Sequence, residues 1–128
     1  MRLLLDTCTF LWIAGGDAAL SPTAARLFAA PENDVYLSAV SAWEIAVKHQ
    51  LGRLVLADPP DRFVAAQREA HAIEALPLDE ASALHLSRLT PLHRDPFDRM
   101  LVCQAIVHGL VIVGPDPLIT QYPIRAAW

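Results

Sequence analysis

The chain has 128 residues, a formal net charge of −4 and a hydrophobic content of 54%. This length predicts one domain over residues 1–128, because there is no room for a second core. The negative charge argues against tight nucleic-acid binding through a general basic field, since phosphate neutralisation needs clustered Lys and Arg. The hydrophobic excess predicts apolar surface for a partner, in a constitutive complex or a homodimer.

The apolar stretches fall well short of the ~18 residues that a membrane helix needs. Asp6 also interrupts the N-terminus where a signal peptide would be apolar. We therefore expect a cytoplasmic protein without a membrane segment. The cysteines Cys8 and Cys103 form no CxxC pair and are too few for a disulfide framework, so we expect buried free thiols.

Apolar runs of strand length alternate with helical periodicity along the whole chain. This pattern predicts an α/β fold in which helices cover a central parallel sheet of four to five strands. The predicted strands are Leu3–Asp6, Val35–Ser38, Ile73–Leu76, Leu110–Val113 and a short edge piece near Ile124. Capping residues place helix starts at Ser21-Pro22, Ser38 or Ser41, Asp58-Pro59, Asp79 and Asp95-Pro96, with helix ends near Ala30, Gly52 and Gly109.

The first acidic candidate, Asp6, directly follows three leucines and precedes Thr7, whose hydroxyl can orient a neighbouring carboxylate. Buried parallel strands end at the edge of the sheet where open α/β folds bind ligands. Asp6 is therefore either a site residue or the N-cap of the helix that follows, and both interpretations stay open.

Glu44 lies in a helical stretch that is apolar on nearly every side. A charge there is costly unless it is paired, so Glu44 either points into a polar site or meets Lys48 one turn later. The neighbouring Trp43 is expected in the core rather than as a platform for base stacking.

Two further acidic candidates follow in the second half of the chain. Asp95 before Pro96 predicts an N-cap, and Asp98 is either its capping-box partner or an acid facing the same crevice as the strand ends. His93 is a ligand, a proton shuttle or, more simply, a solvated loop residue. Asp116 follows a buried strand but sits in a turn, which alone explains an aspartate.

Right-handed crossovers bring the ends of the first and fourth strands to one edge of the sheet, together with the N-termini of helices. Carboxylates that share a cleft repel one another, and a cluster of hard oxygens is typical of a Mg²⁺ or Mn²⁺ site. Zinc is disfavoured because no His or Cys has ligand spacing. Such a metal favours phosphodiester hydrolysis. Four positively charged side chains are candidates for guiding the nucleic acid strand: Lys48, Arg53, Arg94 and Arg99.

The assembled motifs resemble the PIN-domain ribonucleases, specifically VapC-type toxins of toxin–antitoxin pairs. The matching segments are residues 3–7, 38–48 with 51–54, 95–101 and 109–113 with Asp116. The resemblance implies a three-layer α/β/α domain and an endoribonuclease with a Mg²⁺ or Mn²⁺ site. The implied metal ligands are Asp6, Glu44, Asp98 and Asp116. It also implies a VapB-like antitoxin as partner, RNA as substrate and a homodimer.

One position departs from the pattern of the relatives. They commonly carry Ser or Thr two residues before the fourth acid, where this chain has Gly114 followed by Pro115. The hydroxyl that would orient the fourth carboxylate is missing. Asp116 is therefore expected to be distant or to act through water, with Asp95 as an outer substitute.

Two other functions remain as alternatives. A haloacid-dehalogenase-like phosphatase also begins with a strand that ends in Asp, but its chemistry needs a second acid at the position of Cys8. A catalytically weak or inactive PIN-like interaction protein would use the same acids only as caps and salt bridges, acting through its antitoxin partner.

Overall fold

A computed structural model of the chain describes residues 1–128 and contains a five-stranded sheet in which all strands are parallel. The spatial order of the strands is β3-β2-β1-β4-β5. Their bounds are β1 Arg2–Leu5, β2 Asp34–Ser38, β3 Glu74–Leu76, β4 Val111–Val113 and β5 Arg125–Ala127. The predicted parallel sheet of four to five strands is therefore confirmed.

Both faces of the sheet are covered by helices. Leu3 and Leu5 of β1 point into one core, which continues into α1 through Phe10 and into α3 through Ile45. Leu4 points into the other, which is built largely on α6. Since alternate residues of one strand are fully buried on opposite faces, the fold has three layers, α/β/α.

Six α-helices connect the strands. Their bounds are α1 Thr7–Gly15, α2 Pro22–Ala29, α3 Ala39–Gln50, α4 Pro60–Ala70, α5 Glu80–His85 and α6 Pro96–His108, and two single 3₁₀ turns lie at Leu86–Arg88 and Ile119–Gln121. The side chains of Ser21, Ser38, Asp79 and Asp95 accept the capping hydrogen bonds at four of the helix starts. None of these helices is long and apolar enough to cross a membrane.

Several element boundaries differ from the sequence-based prediction by one residue, because neighbouring helix ends extend into the apolar runs. Leu110 donates its N–H to the Ala105 carbonyl of α6 and Ile73 donates to the Arg68 carbonyl of α4, so both residues close the C-terminal ends of these helices and precede the strands. The fourth helix begins at Pro60 with Pro59 as its N-cap and no side-chain cap.

Removal of the Leu4 side chain tests the assignment of β1 as the central buried strand. Leu4 is fully buried, so Leu4→Ala should lower the free energy of unfolding by about 2–5 kcal/mol through lost transfer energy and a residual cavity. Val55→Ala is the matched control, because Val55 is 94% exposed in a loop and its loss should change little. Urea unfolding measures both, and equal small effects would contradict the assignment.

Candidate functional site

Five carboxylates line one cleft at the carboxyl edge of the sheet. The cleft has a volume of about 370 Å³. Only two cationic side chains accompany the acids, so the cleft carries an excess of negative charge. Its lining residues are Asp6, Thr7, Cys8, Leu11, Glu44, Ile45, Lys48, Arg53, Leu54, Asp95, Asp98 and Asp116.

Asp6 is both the N-cap of α1 and a buried side chain of the cleft. Its Oδ1 accepts a hydrogen bond from the Thr9 N–H at 2.8 Å and one from the Cys8 thiol at 3.3 Å. Its Oδ2 accepts none from the protein. Burial raises the pKa of Asp6, the bonds from Thr9 and Cys8 oppose this shift, and the charge of Asp116 adds to it. The two interpretations of Asp6 are thus compatible: Oδ1 caps the helix, and Oδ2 is left free for a site.

Glu44 is buried on α3 and uses its two oxygens differently. Oε1 accepts a hydrogen bond of 2.6 Å from the Thr7 hydroxyl, whose oxygen lies 2.9 Å from that of Ser41. Oε2 forms an ion pair with Lys48, one helical turn further on. The hydrogen bond to Glu44, together with the charges of nearby acids, raises the pKa of Lys48. Glu44 therefore points into the polar cleft and also meets Lys48.

Asp98 lies in the first turn of α6, behind the N-cap residue Asp95. The Asp95 carboxylate accepts the N–H groups of Phe97 at 2.9 Å and of Asp98 at 3.2 Å. Asp98 returns no hydrogen bond to Asp95, so of its two interpretations the capping box is not formed. Desolvation raises the pKa of Asp98 to about 7, and the charges of Asp95, Glu44, Asp116 and Asp6 add to this shift. Burial and four neighbouring carboxylates therefore act on Asp98 in the same direction.

Asp116 reaches the cleft from the turn that follows β4. Its Oδ1 accepts the N–H of Leu118 at 2.9 Å, which is an ordinary turn hydrogen bond. It is half-buried and lines the same cleft as Asp6 and Asp98. Asp116 therefore has a structural role and still contributes negative charge to the other two acids.

The four candidate guiding cations separate into two pairs. Lys48 and Arg53 line the cleft. Arg94 is exposed outside the lining, and Arg99 is turned into the protein with its Nε buried and without a hydrogen-bond partner. Arg99 comes one residue after Asp98 on α6, which places its side chain about 100° around the helix axis.

Two further groups lie beside the acids: Cys8, for which no function was expected, and His93, whose role the sequence left open. The Cys8 thiol bonds Asp6, and burial raises the pKa of this thiol to about 12, which keeps it a proton donor. His93 is not solvated as expected: its ring is buried, Nδ1 lies 2.9 Å from the Tyr122 hydroxyl, and Nε2 lies 3.7 Å from Asp98 Oδ2. For Cys8, the sequence signal was its spacing from Asp6, two residues apart at the start of a helix.

Trp43 corrects another expectation, since it is 58% exposed rather than part of the core. Its ring packs edge-on against Phe97, with 4.9 Å between the ring centroids. Helix α3 turns Ser41, Glu44 and Ile45 inward. Trp43 therefore falls on the side of the helix that faces solvent and the start of α6.

The donor set of the cleft suits a hard divalent cation, because its free acceptors are carboxylate oxygens and no imidazole lines it. No three acidic, imidazole or thiol groups stand close enough to enclose an ion. Mg²⁺ often takes only one or two carboxylates and completes its shell with water and substrate phosphates. Asp6 and Asp98 fit this role, because both are desolvated and neither is paired with Lys or Arg.

Comparison with known proteins gives a family and a set of similar folds. The family model described as "PIN domain" matches residues 3–121. Among solved structures, VapBC2 from Rickettsia felis, bound to a DNA fragment from their promoter, has 11% identity and a TM-score of 0.74, covering 99% of this chain and 98% of that chain. DNA-bound VapBC from Salmonella typhimurium has 20% identity and a TM-score of 0.66, covering 99% and 97%.

A third similar structure is FitAcB from Neisseria gonorrhoeae, with 20% identity and a TM-score of 0.62, covering 97% of this chain and 95% of that chain. The curated proteins contain no significant match to the sequence. At these identities the likeness concerns the fold, and it confirms the predicted PIN-like α/β/α architecture.

The raised pKa of Asp98 predicts how stability depends on pH in metal-free buffer with EDTA. An unfolded Asp ionises near pH 3.8, whereas folded Asp98 stays protonated up to about pH 7, so its contribution to stability is lost as the pH rises through this window. Asp98→Asn should therefore exceed the wild type in unfolding free energy at pH 8, by about 1–2 kcal/mol once partial exposure is discounted.

Urea unfolding at pH 4.5 and pH 8 measures this effect, and the advantage of Asp98→Asn should shrink at the lower pH. Asp17→Asn, at an exposed aspartate outside the cleft, is the control and should shift neither value appreciably. An equal pH dependence in the wild type and Asp98→Asn would show that Asp98 ionises normally.

Proposed function

The chain belongs to the PIN-domain family of nucleases, and we propose that it is a Mg²⁺- or Mn²⁺-dependent endoribonuclease that acts as the toxin of a toxin–antitoxin pair. The observation that carries the proposal is the cleft of five carboxylates, in which Asp98 is pushed toward its protonated form by burial and by its neighbours. A divalent cation relieves this repulsion and gives the cleft affinity for a phosphodiester despite the net charge of the chain.

Asp6 and Asp98 would hold the metal directly, with Glu44 and Asp116 at its periphery. When bound, the metal supplies a water of lowered pKa for attack on phosphorus and neutralises charge on the leaving oxygen. Thr7 fixes the orientation of Glu44 through its 2.6 Å hydrogen bond. The Cys8 thiol and the Thr9 N–H fix Asp6, so that its second oxygen remains available to the metal.

Lys48 and Arg53 are the side chains that would bind RNA phosphates at the cleft, because they are its only cationic lining residues. Lys48 is also the only lysine of the chain, and its ammonium group already forms an ion pair with Glu44. Arg94 and Arg99 lie outside the lining, so any contact with RNA from these two side chains would be remote from the reacting phosphate.

The assignment as a toxin rests on the resemblance of the motifs and on the similar solved structures, which are named as VapBC and FitAB assemblies. By analogy, the partner of this chain would be a VapB-like antitoxin that covers apolar surface and reaches toward the cleft. A homodimer is part of the same proposal, as is action on cytoplasmic RNA.

A non-catalytic interaction protein is the second candidate, and two observations favour it. Glu44 is already neutralised by Lys48, and no three ligand groups are gathered around one point. On this alternative the acids serve only as caps and turn residues, as Asp95 and Asp116 visibly do. RNA cleavage by the purified protein decides between the two.

Substitution of the proposed metal ligands distinguishes the nuclease from the interaction protein. Asp6→Asn and Asp98→Asn should each reduce Mg²⁺- or Mn²⁺-dependent cleavage of a labelled RNA by about a hundredfold or more, since a metal-facing carboxylate is lost. Asp61→Asn, at an exposed residue of α4 outside the cleft, should leave the rate unchanged. Circular dichroism checks that all three proteins are folded.

EDTA should abolish cleavage by the wild type, and added Mg²⁺ should restore it. Cleavage that persists in EDTA, or that is equally fast in Asp98→Asn and Asp61→Asn, would rule out the proposed site. Absence of cleavage in the wild type with either metal, across mixed cellular RNA, would favour the interaction protein.

A further inference from the structure

We infer that Gly114 is a positioning residue for Asp6: its bare Cα leaves the space that the free carboxylate oxygen of Asp6 occupies, and this space keeps Asp6 in its place in the cleft. The inference rests on the proposed function in one respect, namely that this oxygen binds a metal. The placement itself follows from geometry alone.

The space at Gly114 is already filled by the Asp6 carboxylate. A Cβ built on residue 114 would lie 2.1 Å from Asp6 Oδ2 and 2.5 Å from its Cγ. Both distances are far below van der Waals contact, so a side chain at position 114, including the Ser or Thr that relatives commonly carry there, fits only if Asp6 or the end of β4 takes another position than the one it has in this chain. Among the five glycines, Gly114 is the only one at which an added Cβ would meet any atom within 4 Å.

Asp6 cannot move aside cheaply, because its other oxygen is committed. Oδ1 accepts the N–H of Thr9 and the thiol of Cys8, and the bond to Thr9 caps helix α1. Rotating the carboxylate away from residue 114 would lengthen these bonds and leave a helix N–H without a partner. Oδ2, which has no protein donor, is the oxygen that a side chain at position 114 would displace.

The backbone of Gly114 is equally restrained. The Asp6 N–H donates to the Val113 carbonyl at 3.1 Å, which ties the end of β4 to β1. The Gly114 N–H donates to the Ala127 carbonyl at 3.2 Å, which ties the same point to β5. Because hydrogen bonds to both neighbouring strands hold this segment, a Cβ at position 114 would force Asp6 out of its place instead of widening the gap.

Metal binding tests the positioning role directly. Mn²⁺ affinity, measured by electron paramagnetic resonance titration of the full chain, should be about tenfold or more weaker in Gly114→Ala than in the wild type. Gly15→Ala is the matched control, because a Cβ there meets nothing within 4 Å and the residue has no positive φ. It should bind Mn²⁺ as the wild type does. A folded Gly114→Ala with wild-type affinity would overturn the inference.

A second measurement needs no metal and separates this inference from the proposed function. In EDTA, Gly114→Ala should lower the melting temperature by roughly 4–8 °C through overpacking. In an Asp6→Ser background, which keeps a capping oxygen but lacks Oδ2, the same change should cost roughly 1 °C or less. Equal costs in both backgrounds would overturn the inference. If Gly114→Ala lowers the melting temperature much more in the wild-type background than in the Asp6→Ser background, but the wild type binds no Mn²⁺, the proposed function fails and the placement of Asp6 by Gly114 stands.

Discussion

The burial of several carboxylates together in one cleft, with the mutual repulsion that follows, is the constraint on which the rest of this structure depends. Five acids line a space of about 370 Å³ with only Lys48 and Arg53 as counter-charges. Burial disfavours the charged form of Asp98, the neighbouring carboxylates add to this effect, and together they raise its pKa. An arrangement so costly for folding is typical of a functional site, where binding of a cation offsets the cost.

The fold limits this cost by giving most of the acids a structural role. Asp6 caps α1, Asp95 caps α6 and Asp116 closes a turn, each with one carboxylate oxygen bound to backbone N–H groups. These bonds hold the carboxylates at the edge of the sheet, where all three residues line the cleft. A carboxylate that caps a helix or closes a turn can therefore also line a cleft, and a capping role is no argument against a site.

The sequence was sufficient for the α/β class and the parallel sheet, because buried parallel strands and capped helices have strong local patterns. It was also sufficient to bring Asp6, Glu44, Asp98 and Asp116 to one edge, since that follows from strand order. It failed where three-dimensional packing decides the outcome. Trp43 was expected inside because of its chemistry, but its position on α3 leaves it exposed beside Phe97. The simplest interpretation of His93 placed it in solvent, but its ring is buried and contacts Tyr122, which is distant in sequence.

Gly114 shows most clearly what local reasoning misses. In the sequence, Gly114 stands where relatives carry a Ser or Thr hydroxyl, and this absence weakened the prediction that Asp116 binds the metal directly. In the structure, the missing side chain of Gly114 leaves the space that the Asp6 carboxylate occupies. The two residues meet because β1 and β4 pair in parallel, and not because they are neighbours in the chain.

The chemical nature of the RNA ends tests the central claim most directly. A nuclease that activates water in this acidic cleft should leave products with a free 3′ hydroxyl and a 5′ phosphate, detectable by end-specific ligation and mass spectrometry after cleavage of a defined RNA with Mg²⁺. Products ending in a 2′,3′-cyclic phosphate would mean that the ribose hydroxyl attacks instead of water, and would contradict the account.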